Sequence, residues 1–167
     1  MKKLVEEWKE DILLRCLNDL ILLSAHTQEL PFAKDAKHLD PKAYLKEYCT
    51  VRCQTSRRAG HSTALIRASG DLFDVPLVFS LNRDCIKRLK ERWFQLYLDT
   101  PPWNLMYLLS KAGIKKAFSE TKDTKVEAVI VDIASMVSSA DLEAVYDGSI
   151  SFLSDEDSDP FFVVLIG

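Results

Sequence analysis

Three short apolar runs, "VPLVFSL" at 75–81, "VEAVIVDIA" at 126–134 and "FFVVLIG" at 161–167, constrain the fold more than any other feature of this chain. Each is long enough to cross a small domain once as a strand and short for a buried helix. Hydrophobic residues follow one another without the polar alternation of a half-exposed sheet, so both faces of each strand must be covered. The segments between them are longer and amphipathic. "RDCIKRLKERWFQLYL" (83–98) places Ile86, Leu89, Trp93 and Leu96 on one side of a helix, and "WNLMYLLSKAGIKKAF" (103–118) reads as a second helix after the turn "DTPPWN". Covered strands alternating with helices predict an α/β domain around a mainly parallel sheet flanked by helices.

The flanking segments extend the pattern. "YCTVRCQT" (48–55) is rich in β-formers and predicts a strand, and "GHSTALIRASGDLF" predicts a helix starting near Gly60. "SSADLEAVYDG" predicts a short helix capped by Ser139, and "SDEDSDP" an acidic loop. Residues 2–26 repeat apolar positions at helical spacing, through Leu4, Trp8, Ile12, Leu13, Cys16, Leu17, Leu20 and Ile21. That is one long amphipathic helix, whose stripe is expected against the core. "TQELPFAKDAKHLDP" reads as a surface connector, and "PKAYLKEY" as a short helix opened by Pro41. The expected organisation is one compact domain, with a helix and connector over 1–47 packed on an α/β core over 48–167.

Charge and composition exclude several functions. The 22 basic residues against 25 acidic ones leave a net charge of -3, so there is no global attraction to nucleic acid or an anionic membrane. A local patch would be required. Arg83, Lys87, Arg88, Lys90 and Arg92, with Arg52, Arg57, Arg58 and Arg67, are candidates for one, although the interleaved Asp84 and Glu91 fit a solvated helix face better. Trp93, Trp103 and Tyr107 are expected in the core. The four cysteines form no CxxC pair and read as reduced thiols. No run is long enough to span a bilayer, and "MKKLVEEWKED" is acidic where a secretion signal is apolar. A cytoplasmic protein without a membrane partner is expected.

Chemistry is expected at the carboxyl end of the first core strand, where a turn feeds a helix. There the chain reads "QTSRRAGHSTALIRA" (54–68). A phosphate-binding loop needs small residues that let backbone N–H groups wrap the anion, a lysine for the terminal phosphates, and a Ser or Thr for magnesium. Against G-x-x-x-x-G-K-[ST] the chain matches at Gly60 and Ser62 and departs at Thr55 and His61. A second element follows at a sensible distance. Asp132 ends "AVIVDI", the position from which a carboxylate holds the hydrated magnesium of a nucleotide. The plainer alternative is a basic turn and a strand-ending aspartate.

"TSRRAGHSTALI" resembles the Walker A segment of phage terminase large subunits and related superfamily 2 helicase-like ATPases. "AVIVDI" resembles their Walker B strand, and "FFVVLIG" the following strand that carries their coupling motif. The resemblance covers residues 48–167 and implies a single RecA-like P-loop domain, here preceded by a long N-terminal helix, with ATP and magnesium as cofactors. It implies that Ser56, Arg57, Arg58, Ala59, Gly60, His61, Ser62 and Thr63 surround the phosphates, and that Ser62 and Asp132 serve the magnesium ion.

Three departures bear on turnover. His61 stands in the lysine position and is mostly neutral at pH 7, a loss that Arg57 or Arg58 partly offsets. Ile133 stands where such families place the water-polarising glutamate, whose loss costs a rate factor of ~10² to 10⁴. The second lobe that supplies an arginine finger in these families is not represented in residues 48–167. The function expected is that of a degenerate P-loop domain that binds nucleotide with weak or no hydrolysis. The alternative is a non-catalytic module that binds a protein or nucleic acid on the same scaffold.

Overall fold

The computed structural model describes residues 2–54, 61–97, 106–132, 136–153 and 159–167, with side chains from Ile12 onward except at residues 61, 62 and 68. The apolar runs are strands buried at every position: β2 (Pro76–Ser80), β4 (Ala128–Asp132) and β5 (Phe162–Ile166). β1 (Thr50–Cys53) and β3 (Met106–Leu108) complete a parallel sheet of five in the order β1-β5-β4-β2-β3. Seven α-helices are described, α1 (Lys2–Gln28), α2 (Pro31–Leu39), α3 (Pro41–Tyr44), α4 (His61–Asp71), α5 (Arg83–Leu96), α6 (Lys111–Glu120) and α7 (Ser139–Ser149). α3 runs into a wider π-helical turn, Leu45–Cys49, directly before β1.

Side-chain alternation splits the core into two layers. Val78, Ile130, Val164 and Ile166 face Leu13, Leu17 and Ile21 of α1, Ala64 to Ile66 of α4, and Leu89 and Trp93 of α5. Leu77, Phe79, Val129, Val131, Val163 and Leu165 face Ala33 of α2, Tyr44 of α3, Ile114 and Ala117 of α6, and Val145 and Tyr146 of α7. The chain crosses from β1 to β2 and β3 with α4 and α5 on the first face, then returns to β4 and β5 with α6 and α7 on the second. Reversing direction puts the helices on opposite faces because parallel crossovers are right-handed. The N-terminal segment is built into this core: Leu17 is fully buried, and Ser24 Oγ donates to the Tyr48 carbonyl at 2.6 Å.

Several expectations change. The connector at 27–41 contains α2, with Pro31 in its first turn, where a missing N–H costs nothing. The expected helix over 103–118 is instead β3 followed by α6, and Ser110 Oγ accepts from Gly113 N at 3.2 Å to start the helix at Lys111. Ser138, not Ser139, caps α7, accepting from Asp141 N at 3.1 Å. The α1 stripe is wider than the core covers, since Ile12, Cys16 and Leu20 are exposed. Trp93 and Tyr107 are buried as expected, and Trp103 lies outside the described residues. No described helix is long and apolar enough to cross a membrane.

Candidate functional site

The carboxyl edge of the sheet brings the end of β1 level with Asp132. Cys53 of β1 is in register with Ile166 of β5, and Ile166 with Asp132 of β4. Two strand spacings separate β1 from β4, about 10 Å. Phe79 of β2 is in register with Val131, so Ser80 continues the row beside Asp132. Alternation puts Asp132 and Ser80 on the same side as Ile130 and Val78, the face covered by α4 and α5. Between β2 and β4 the chain leaves the sheet toward opposite faces. This is the topological switch point at which ligands bind in open α/β sheets.

Asp132 is 3% exposed and Ser80 1%, and Ser80 Oγ donates to Asp132 Oδ2 at 2.9 Å. A buried carboxylate requires such donors, because an unmet charge in this environment is costly. Sequence spacing identified Asp132 but not Ser80, whose strand lies 52 residues away and is placed by pairing alone. A magnesium ion with a bound nucleotide takes one or two carboxylates plus phosphate oxygens and waters, and Asp132 is the carboxylate at the described end of this row. Among the described residues no group of three His, Cys, Asp or Glu side chains is placed to hold a metal ion.

Of the expected phosphate-binding residues, Ser56, Arg57, Arg58, Ala59 and Gly60 lie outside the described residues. His61 and Ser62 open α4, with their side chains outside the description, and Thr63 is buried in its first turn. Arg92 of α5 reaches this turn, donating from Nε to Thr63 Oγ1 at 3.1 Å and from Nη1 to Gln95 Oε1 at 3.0 Å. It brings a fixed positive charge beside the α4 N-terminus. Periodicity had placed Arg92 only among the solvated charges of α5. Elsewhere on that helix Lys87 pairs with Glu91 at 3.9 Å, as interleaved charges predict.

The nearest thiol in the row is not an activated nucleophile. Burial, with a smaller contribution from Cys16, pushes the Cys53 pKa up, so it remains protonated at neutral pH. At the opposite edge of the sheet a cleft is lined by Gln28, Lys37, Tyr44, Lys125, Phe152 and Phe161. Gln28 is committed to the fold there: its amide nitrogen donates to the Phe161 carbonyl at 3.0 Å, and its carbonyl oxygen accepts from Phe161 N at 3.2 Å. Compared with protein-family models, curated proteins and solved structures, the chain matches none.

Proposed function

We propose that the carboxyl edge of the sheet binds the phosphates of a magnesium nucleotide, with slow or no hydrolysis, as a degenerate P-loop domain. The observation that carries this reading is the row Cys53, Ile166, Asp132 and Ser80, which sets a buried carboxylate level with the end of the strand that feeds α4. Backbone N–H groups of residues 57–63 would wrap the phosphates, where a helix N-terminus favours negative charge. Ser62 and Asp132 would hold the hydrated magnesium, which supplies charge neutralisation when bound. Arg92, fixed by Thr63, offsets part of the positive charge lost at His61. Ile133 offers no group to orient an attacking water, so binding survives better than turnover. The second reading is a non-catalytic module that binds a protein or nucleic acid; the exposed apolar side chains of α1 favour its protein arm.

The test is a calorimetric titration with magnesium ATP of the native chain and of Asp132→Asn, with and without EDTA. Saturable binding weakened tenfold or more by EDTA and by the substitution is expected. Absence of binding, or binding indifferent to both changes, contradicts the proposal.

A further inference from the structure

We propose that α1 is the interface of a symmetric, antiparallel homodimer. Ile12 is 59% exposed, Leu22 60% and Leu23 61%, on the same helix that buries Leu13 at 4% and Leu17 at 0%. Ile12, Cys16, Leu20 and Leu23 recur at i, i+4, i+8 and i+11 and fall within an arc of about 80° at 100° per residue. This arc adjoins the stripe that packs on the sheet, so α1 carries a second apolar face that the described elements leave uncovered. A contiguous apolar face of this kind marks an association surface.

The charges bordering the face select a second copy of this chain as the occupant. Arg15 and Asp19 are both exposed, one turn apart, along the same border of the stripe, with Leu22 beside them. In a two-fold interface residue i meets residue j while j meets i. When two such helices pack antiparallel about an axis perpendicular to both, each border faces its own counterpart turned end for end. Arg15 then lies opposite Asp19 of the second copy and Asp19 opposite its Arg15. The same register brings Ile12 near the level of Leu23 of the second copy, within the apolar arc. A parallel arrangement would lose this reciprocity. The face therefore complements itself in both charge and apolar content, independently of any nucleotide site.

Sedimentation equilibrium of the native chain, Arg15→Asp, Asp19→Arg, and an equal mixture of the two variants tests this directly. The native chain should show a monomer–dimer equilibrium. Each single reversal sets like charges opposite each other twice and should weaken it at least tenfold. Mixing the two variants restores opposite charges at both contacts and should return the dimer as a mixed species. Leu23→Lys should abolish dimerisation, with circular dichroism confirming a native helical content for every variant. A native chain that stays monomeric, a dimer indifferent to the reversals, or variants that fail to dimerise when mixed would each overturn the proposal.

Discussion

At the level of single residues, the consequential group is the Ser80–Asp132 pair. Its two members are distant in sequence, nearly inaccessible to solvent, and joined at 2.9 Å. Ser80→Ala removes a donor from a buried carboxylate, and the stability lost should be about 1 to 3 kcal/mol by urea denaturation. An unchanged stability would mean that other donors meet the charge without Ser80. A second residue sets an alkaline limit. Burial lifts the Cys49 thiol from 9.0 to about 12, opposed in part by the Tyr44 hydroxyl and the Lys37 charge. The folded thiol stays neutral while the unfolded one ionises, so its contribution is complete below pH 9 and is lost between about 9 and 12. Urea midpoints measured across this window should fall with pH, and the fall should be shallower in Cys49→Ala. Equal slopes would contradict the assignment.

Whole elements show what periodicity can and cannot reveal. The strands β2, β4 and β5 were legible because their buried runs show no polar alternation, the polar residues Ser80 and Asp132 standing only at the carboxyl ends of β2 and β4. β3 was hidden because three residues are too few to show a strand period, and the apolar positions of 103–118 run on into α6. α2 was hidden because it buries one residue, Ala33, and opens on a proline that reads equally well as a turn. The sequence pointed to Ser139 as the cap of α7 because two adjacent serines precede it; the cap is Ser138, which accepts from Asp141 N. In the site, Asp132 was visible as a strand end, whereas Ser80 and Arg92 depend on pairings between distant segments. The α6–α7 contact makes a further prediction. A Cβ at Gly148 would overlap the Phe118 ring, which is packed between Phe79 at 5.9 Å and Phe152 at 5.5 Å between centroids. Gly148→Ala should therefore cost about 1 to 3 kcal/mol by overpacking. A neutral or stabilising result, as expected for a glycine in an open helix, would show that Phe118 yields.

For the molecule as a whole, the N-terminal helix and the sheet share a core layer and should unfold as one cooperative unit. Leu13, Leu17 and Ile21 belong to the same core layer as Ile130 and Val164. Leu17→Ala should cost about 2 to 5 kcal/mol while preserving a single transition, with helical circular dichroism and tryptophan fluorescence coinciding. Separate transitions would show that residues 1–47 unfold independently of the core. The sheet also fixes the reach of the candidate site, because the strand order sets β5 between β1 and β4 and spaces Asp132 from the start of the loop by two strands. The most direct test is calorimetric titration of the native chain with magnesium ATP beside His61→Lys. Saturable binding by the native chain, tightened by the lysine, is predicted. No heat of binding in either protein would contradict a phosphate site at this edge of the sheet.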